Sequence, residues 1–287
     1  MARLAAELTM ERETRVRLGS VPQRLIDTAL SELSWKISAD EFLLHATGEH
    51  YFYYRRGEGI TVERGPGADL SEESLWLNGS VYAAIASLNG LLPIHASAVA
   101  VNGLVYAFTG SAGAGKSTLI AGLGNEGIPM FCDDTLVLDL SDPERILCLP
   151  GHKRLKLAPD SLEMIGAVRG EKVSLDVDKY YSASAAGNVQ TALPIAELIF
   201  LEVASEPSIV PMAGIERYTR MQDEHYTSQL FASAQRFDRA GYFSHLARLA
   251  NALRMSRFAR PLDKCLFVEG VKLIADYVSA QRIPDET

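Results

Sequence analysis

The sequence has few cysteines, no long apolar run and no signal-peptide pattern, and each of these would have indicated a particular class of protein. It contains three cysteines, Cys132, Cys148 and Cys265, whose spacing matches no metal-ligand motif and which are too few for a disulfide framework. No run approaches the roughly 18 apolar residues that a membrane-spanning helix needs. The charged N-terminus lacks the apolar core of a signal peptide. These absences predict a soluble, cytoplasmic protein that does not act at a membrane.

An excess of basic residues is also missing. The 36 Asp and Glu residues outnumber the 28 Lys and Arg residues, which gives a formal net charge of -8. An electrostatic grip on nucleic acid is therefore not expected as the main function. The content of 47% hydrophobic and 22% charged residues is ordinary for a globular protein, and 287 residues suffice for one large domain or two small ones.

The sequence pattern changes near residue 70. Before it, short aromatic and β-branched runs such as "EFLLHAT" and "HYFYYRR" predict strands. The segment from Arg64 to Ser74, "RGPGADLSEES", indicates a linker. A helix is then predicted from about Glu72 to Leu88, with Ser71 as its N-cap. The sequence thus predicts a small β-rich N-terminal region, residues 1–70, followed by a larger α/β domain, residues 71–287.

Later runs alternate between strand-like and helical patterns. Asn102-Gly103 joins "HASAVAV" to "LVYAFTG" and predicts a tight hairpin. The run "LPIAELIFLEV" predicts a buried strand near residue 200. The last fifty residues are predicted to be helical, because "FSHLARLANALRM" and "FVEGVKLIADYVSAQ" carry apolar residues at three- and four-residue spacing.

The stretch "GSAGAGKS" fits the pattern G-x-x-x-x-G-K-[ST] at every fixed position. Glycines let the backbone N–H groups turn inward around phosphate oxygens, and the N-terminus of the following helix favours an anion. Lys116 would contact the β- and γ-phosphates, and the Ser117 hydroxyl would ligate Mg²⁺. A chance match in a flexible glycine turn is the alternative, but the required strand and helix flank the motif. The predicted nucleotide-binding residues are Gly110, Ser111, Ala112, Gly113, Ala114, Gly115, Lys116, Ser117 and Thr118.

Two adjacent acids, Asp133 and Asp134, follow the apolar run "GIPMFC". Such a run ends in charge where a strand reaches the sheet edge at which α/β ligand sites lie. A P-loop enzyme needs a carboxylate to complete its magnesium site. One acid could hold Mg²⁺ and the other accept a proton, because crowding two like charges raises the pKa of one of them. The alternative is a solvated strand end. ATP and Mg²⁺ are the predicted cofactors.

Other charged residues allow both structural and functional interpretations. His95, alone before the hairpin, is more typical of a structural histidine on spacing alone. Arg217 and Arg220 could supply a cation to the transition state or lie on a solvated helix face, while Glu197 and Glu202 are predicted to be structural. A local basic patch either contacts phosphates or an acidic acceptor, or forms an exposed hairpin. Its basic residues are His152, Lys153, Arg154 and Lys156.

Taken together, these motifs resemble the HPr kinase/phosphorylase family. The segment "HASAVAVNGLVYAFTGSAGAGKSTLIAGLGNEGIPMFCDD" presents a histidine, a hairpin, a P-loop, a helix and Asp-Asp in that family's order. The resemblance implies a P-loop domain related to that of phosphoenolpyruvate carboxykinase, with a mixed sheet. It also implies ATP-dependent phosphoryl transfer to a seryl hydroxyl. By motif position it makes His95, Lys116 and Asp133 catalytic, with Asp133 handling the proton and Asp134 and Ser117 binding the metal.

The chain departs from that family in three places. Ala112 stands where the family usually has Ser, the N-terminal region does not match the family's regulatory domain, and no Gly-Arg-Asn type signature lies near "AELIFLE". The loop instead resembles that of shorter HPr-kinase-like proteins, some of which phosphorylate lasso peptide precursors. The expected partner is therefore a small protein or ribosomal peptide with a seryl hydroxyl. The sequence is also compatible with a homo-oligomer. A small-molecule kinase and a non-catalytic, ATP-gated regulator remain alternatives.

Overall fold

The computed structural model of the protein describes residues 4–26, 30–31, 34–221, 225–236, 239–261 and 263–281. Within these ranges the chain forms two main sheets, a two-stranded ribbon and flanking helices. The helices are α1 (Ala5–Glu13), α2 (Leu70–Trp76), α3 (Tyr82–Leu88), α4 (Lys116–Asn125), α5 (Pro159–Ile165), α6 (Ile215–Arg220), α7 (Tyr226–Ala234), α8 (Arg239–Ala252) and α9 (Phe267–Ala280). In the part of the chain described, no helix combines the length and apolar character that crossing a bilayer would require.

The N-terminal sheet is an antiparallel meander of five strands, with a sixth strand added in parallel at one edge. Its strands are β1 (Val16–Leu18), β2 (Leu30–Ser31), β3 (Trp35–Ile37), β4 (Glu41–Ala46), β5 (His50–Arg55) and β6 (Gly59–Arg64), in the spatial order β1-β6-β5-β4-β3-β2. In β5 the alternating residues His50, Phe52 and Tyr54 are buried, while Tyr51 and Tyr53 are half-buried. The buried face packs on α1 and α3, and its core extends past residue 70 to Leu91, Val137 and Leu149.

The helix that follows the N-terminal sheet begins earlier than the sequence predicts. Its N-cap is Asp69 rather than Ser71, because the Asp69 carboxylate accepts a hydrogen bond from the backbone N–H of Ser71 at 2.9 Å. The helix is also interrupted by a π-helical segment, Leu77–Val81, with non-helical dihedral angles at Gly79. A segment of this kind is common at functional sites.

The central sheet is mixed, as the resemblance implies. The remaining strands are β7 (Leu92–Ile94), β8 (Ala96–Val101), β9 (Leu104–Thr109), β10 (Met130–Cys132), β11 (Leu136–Asp139), β12 (Leu147–Leu149), β13 (Leu155–Leu157), β14 (Tyr180–Ser182), β15 (Leu193–Val203), β16 (Ser208–Pro211) and β17 (Arg254–Arg260). Strand β15 pairs in parallel with β9 and β17, whereas β8 and β10 are antiparallel neighbours. Strands β12, β11 and β7 continue from the start of β15, and β13 and β14 form the ribbon.

The predicted hairpin is confirmed. Val101 pairs with Leu104, and both turn residues have positive φ angles, 52° at Asn102 and 75° at Gly103. Positive φ at both central positions characterises a type I′ turn, whose twist matches that of the flanking strands. The hairpin therefore brings β8 back beside β9, and β9 then leads directly into the glycine-rich loop.

The prediction that the last fifty residues are helical is wrong for one segment. Between α8 and α9 lies β17, which pairs in parallel with β15 from Arg254 to Arg260. A partner strand this far away in sequence supplies hydrogen bonds that local periodicity cannot show. The buried Glu197 of β15 accepts hydrogen bonds from Ser256 and Tyr277, which confirms its structural role.

Two apolar layers cover the two faces of the central sheet. On β9, Tyr106 and Phe108 point into a layer formed with α4, α5 and α9. Val105 and Ala107 point into the opposite layer, which contains residues of α7 and α8. This alternation buries β9 on both sides. Packing on both sides holds β9, and therefore the start of the loop that follows it, in place.

Candidate functional site

The glycine-rich loop joins the end of β9 to the start of α4. Strand β9 ends at Thr109, and α4 begins at Lys116 with Gly115 as its N-cap. Gly115 has a φ of 80°, and a Cβ atom at this position would lie 2.6 Å from Nη2 of Arg260. Only glycine satisfies both the backbone angle and the close approach. The strand–loop–helix context that the motif requires is therefore present.

The Lys116 side chain is buried and folds back over the loop. Its Nζ donates hydrogen bonds to the carbonyl of Gly110 at 2.8 Å and to that of Ser111 at 3.1 Å. These contacts hold a positive charge at the mouth of the loop, where the helix N-terminus also favours an anion. The geometry suits an ammonium group that binds a phosphate.

Asp133 is the acid that contacts the loop. Its Oδ1 accepts hydrogen bonds from Oγ of Ser97 at 2.6 Å and from Oγ of Ser117 at 2.9 Å. Its Oδ2 accepts one from the backbone N–H of Lys156 at 3.2 Å. Burial, and then the charge of Asp134, raise the pKa of Asp133 above its ordinary value. Ser97 had no signal in the sequence, because its role depends on the hairpin that places β8 beside the loop.

Asp134 lies in a different environment, although it is adjacent in sequence. Its backbone has a φ of 74°, which is unusual for a residue other than glycine. Its Oδ2 lies 2.9 Å from Nζ of Lys156, and its Oδ1 lies 3.6 Å from Nδ1 of His95. Burial alone would raise the pKa of Asp134, but its interactions with the ammonium of Lys156 and, second, with the imidazole of His95 outweigh burial and lower it. The two acids therefore differ in their readiness to hold a proton.

The structure brings His95 into the same group of residues. Its Nδ1 lies 2.9 Å from the carbonyl oxygen of Asp134. Since a carbonyl only accepts, Nδ1 carries the proton and Nε2 carries the lone pair. The His95 ring stacks on that of His225, with 3.6 Å between centroids. Burial, followed by the charges of Lys116 and His225, lowers the pKa of His95 to about 4, so the ring is neutral near pH 7.

The donor chemistry of the site fits Mg²⁺. Ser117 and the two aspartates supply hard oxygen atoms, which are the ligands that Mg²⁺ prefers. The ammonium of Lys156, 2.9 Å from Asp134, shows that the site accommodates a cation. In the residue ranges described, no group of three or more His, Cys, Asp and Glu side chains is arranged to hold a metal ion. Mg²⁺ is usually bound through one or two carboxylates together with phosphate oxygens and water.

The basic patch reaches the two acids chiefly through Lys156, whose side chain pairs with Asp134 and whose backbone N–H donates to Asp133. The ion pair with Asp134 outweighs burial and raises the pKa of the Lys156 ammonium. Lys153 lies over an aromatic ring, and Arg154 forms an ion pair with Glu171 at 2.8 Å. Burial and the neighbouring charges of Lys156 and Arg154 lower the pKa of His152 to about 4. The patch is therefore divided between a site residue and structural contacts.

The two candidate arginines of α6 have other partners. Arg217 donates a hydrogen bond to the carbonyl of Leu253, and Arg220 forms an ion pair with Glu202. The structural interpretation of Glu202 is thus supported by its partner. These contacts anchor α6 and give no direct support for a role in charge neutralisation.

Arg260 is a site residue that the sequence did not indicate. It ends β17, is 6% exposed, and its Nη2 donates a hydrogen bond to the carbonyl of Ala114 at 2.6 Å. The guanidinium thus supports the glycine-rich loop from beneath. The residue was missed because β17 itself was missed, and β17 is what places this side chain under the loop.

The helix that follows the N-terminal sheet reaches the site through its π-helical segment, Leu77–Val81. A Cβ atom on Gly79 would lie 3.8 Å from Oδ2 of Asp134 and 3.6 Å from the hydroxyl of Tyr226. The Tyr226 hydroxyl is 3.1 Å from Oγ1 of Thr135. The helix that packs on the first sheet therefore borders the acids of the second.

No protein-family model matches the sequence, and no curated protein matches it significantly. One similar solved structure is the Hpr(Ser) kinase/phosphatase from Coxiella burnetii, with a TM-score of 0.33 and 13% sequence identity, covering 66% of this chain and 99% of that chain. Values this low do not establish a shared activity, so function is inferred from the geometry of the site.

Proposed function

We propose that the protein is an ATP- and Mg²⁺-dependent kinase that transfers the γ-phosphoryl group to a seryl hydroxyl of a small protein or peptide. One observation carries this proposal. The hydroxyl of Ser117, in the glycine-rich loop, donates a hydrogen bond to Asp133 at 2.9 Å, and Asp134 follows directly with its own cationic partner. A phosphate-binding loop and two carboxylates at one sheet edge are the parts that phosphoryl transfer requires.

The loop would bind the triphosphate. Backbone N–H groups between Gly110 and Ser117 would surround the phosphate oxygens, and Lys116 would exchange its carbonyl partners for the β- and γ-phosphates. The Ser117 hydroxyl donates to Asp133, and its oxygen lone pairs remain able to bind a cation. Ala112 contributes backbone only. The loop's own groups therefore position the phosphates and neutralise their charge.

Ser117 and Asp134 would hold Mg²⁺. The lowered pKa of Asp134 keeps this carboxylate ionised, and the ammonium of Lys156 occupies a cation position beside it. Bound magnesium supplies positive charge to the phosphate oxygens. Lys156 would then be released from Asp134 toward the transferred phosphoryl group. Its flexible stem allows this movement, and charge neutralisation is the main need of a loose transition state.

Asp133 would accept the proton of the acceptor hydroxyl. Its raised pKa suits a proton acceptor better than that of an ordinary carboxylate. As the proton leaves, the seryl oxygen forms a bond to the γ-phosphorus. The bond from that phosphorus to the β–γ bridging oxygen breaks, and ADP departs. The lone pair on Nε2 of His95 would orient the acceptor hydroxyl or its peptide.

The reverse division of roles between the acids also has structural support. Asp133 is buried and contacts Ser117, whereas a quarter (25%) of the Asp134 side chain is exposed and thus accessible to an acceptor. If Asp134 is the proton acceptor, Asp134→Asn should lower kcat and leave the dependence on Mg²⁺ concentration unchanged. If it binds the metal, the same variant should raise the Mg²⁺ concentration needed for half-maximal rate.

The proposal is tested by mass spectrometry of seryl peptides incubated with the protein, ATP and Mg²⁺. The panel includes lasso-precursor-like C-termini and HPr. We expect one peptide to gain one phosphoryl group, and we expect Asp133→Asn to abolish the gain. The control, Asp142→Asn, removes an acid in the loop between β11 and β12 and should leave transfer unchanged. Transfer that persists in Asp133→Asn would contradict the assigned role.

Two alternatives give different results in the same experiment. A small-molecule kinase on this scaffold would phosphorylate a metabolite and leave every peptide unmodified, so a metabolite panel with labelled ATP detects it. A non-catalytic regulator would bind ATP without any acceptor. Two sequence features favour the non-catalytic regulator: Ala112 in the loop, and the absence of a Gly-Arg-Asn type signature near "AELIFLE".

A further inference from the structure

A cleft lies beside the glycine-rich loop, next to Gly113, Gly115 and Thr118. It encloses about 240 Å³ between α5, the end of β17 and the short 3₁₀ helix Lys264–Leu266. Its further lining residues include Asp160, Ser161, Met164, Arg260, Lys264 and Phe267. Neither acid of the proposed catalytic pair lines it. Ser117 therefore contacts one of the acids, whereas the next residue, Thr118, lines this cleft.

We propose that this cleft binds the nucleoside part, the sugar and base, of the nucleotide whose phosphates the loop holds. The inference rests on the proposed nucleotide binding and extends it to a second subsite. A triphosphate bound by the loop would place its terminal group near Ser117 and Asp133, which contact each other. Its other end must then leave the loop away from these residues, where Gly113 and Thr118 line the cleft.

The lining of the cleft suits a sugar and a heterocyclic base. On the polar side, Oγ1 of Thr118 is 3.0 Å from Oγ of Ser161, and Nζ of Lys264 is 3.4 Å from Oδ2 of Asp160. Hydroxyl and carboxylate oxygens can accept hydrogen bonds from sugar hydroxyls. Apolar surface for a base comes from Phe267, beside the polar groups. A few polar groups in a partly apolar cleft are typical of a small-molecule site.

Arg260 provides an independent observation. Its side chain is almost fully buried, and Nη2 is bonded to the carbonyl of Ala114. Its Nε has no hydrogen-bond partner in the structure as described. An unpaired buried donor costs about 1–3 kcal/mol. Because Arg260 lines the cleft, an oxygen of a nucleotide at the junction of loop and cleft would supply an acceptor for this donor.

The first measurement compares ATP with inorganic tripolyphosphate on the wild-type protein by isothermal titration calorimetry in Mg²⁺. If the cleft holds the nucleoside, ATP should bind at least about tenfold more tightly than tripolyphosphate, because only ATP fills it. Equal affinities would overturn the nucleoside cleft while leaving the phosphate loop intact. Failure of both ligands to bind would overturn the proposed function itself, and the cleft with it.

Blocking variants then test the location. Ser161→Trp places a large ring in the cleft from α5, and Lys264→Trp does so from the opposite wall at a position that is 60% exposed. Each should weaken ATP binding by about tenfold and leave tripolyphosphate binding within about twofold. Glu163→Trp, on the exposed side of α5, is the matched control. If both ligands respond equally, or ATP binding is unchanged in both blocking variants, the cleft is not the nucleoside site.

Discussion

The two main sheets of this protein are built in different ways. In the N-terminal sheet, β3, β4, β5 and β6 follow one another in sequence and pair with their immediate neighbours. In the central sheet, β9, β15 and β17 are separated by long stretches of chain and pair in parallel. An antiparallel meander places its turns at both ends, whereas parallel strands direct their carboxyl ends to one edge.

This difference accounts for the position of the site. The loop after β9 and the side chain of Arg260 at the end of β17 meet at the same edge of the central sheet. The antiparallel β10 brings Asp133 to the loop from beside β8. The meander contributes only a border, through the helix that contains Gly79. The central sheet therefore carries the candidate site residues, and the helix next to the first sheet borders one side of them.

The largest expected effect comes from truncating one buried aromatic side chain in each of the two sheets and comparing the two variants. Phe52 of β5 and Phe108 of β9 are both fully buried, and replacing either by Ala should lower the free energy of unfolding by about 3–5 kcal/mol. Phe52→Ala should still bind ATP at temperatures where it stays folded. Phe108→Ala should lose ATP affinity as well, since Phe108 lies two positions before Gly110. Urea unfolding and calorimetry measure the two effects. Equal losses of affinity would contradict the division of labour.

A second prediction concerns pH and the histidine of the central site. The folded protein holds the pKa of His95 at about 4, mainly through burial, against an ordinary 6.5. The unfolded chain therefore binds a proton first, and stability is lost as pH falls from 6.5 to 4. In His95→Gln the free energy of unfolding should therefore fall less over this pH range than in the wild type, by up to about 3 kcal/mol. Urea unfolding from pH 7 to pH 4 measures it, with the exposed His45→Gln as control. A His95→Gln curve parallel to that of the wild type would refute the prediction.

A third prediction concerns the ion pair between Lys156 and Asp134 in the candidate site. Replacing Lys156 by Met leaves the mostly buried Asp134 without its main cation, and this should cost about 3 kcal/mol at pH 7. Lys156→Met combined with Asp134→Asn should recover part of that cost, because no buried charge then remains unpaired. A double-mutant cycle of unfolding free energies measures the coupling. Strictly additive losses would show that the two side chains do not interact.

The smallest expected effect lies in the helix between the two sheets. Asp69→Ala removes the carboxylate that caps α2 and should produce a small loss in the free energy of unfolding. Ser71→Ala should cost less, because Ser71 contributes its backbone N–H to the cap. The order of the two midpoints in urea measures this difference. A larger loss in Ser71→Ala would support the N-cap that the sequence predicts.

The sequence predicts local features of this fold well. Several strands of the β-rich N-terminal region, the Asn102-Gly103 hairpin and the buried strand Leu193–Val203 all depend on runs of neighbouring residues, and each is present. Features that depend on distant partners were not predictable. Strand β17 is stabilised by its pairing with β15, so local periodicity gave a helix there.

The same limit applies to the site. The motif pattern indicated the loop and the two acids, because their chemistry is carried by residue type and order. It did not indicate Ser97 or Arg260, which reach the loop only through strand pairing. It placed Lys156 in a basic patch but could not separate it from Lys153 and Arg154, whose partners are set by the tertiary fold.

The most direct test of the central claim is the binding of ATP, in the presence of Mg²⁺, to the wild-type protein and to Lys116→Ala. Calorimetry measures both affinities, and thermal unfolding verifies that the variant is folded. If the edge of the central sheet holds a nucleotide's phosphates, the wild type should bind ATP and Lys116→Ala should bind it at least about a hundredfold more weakly. Equal affinities, or a wild type that does not bind ATP, would contradict this account.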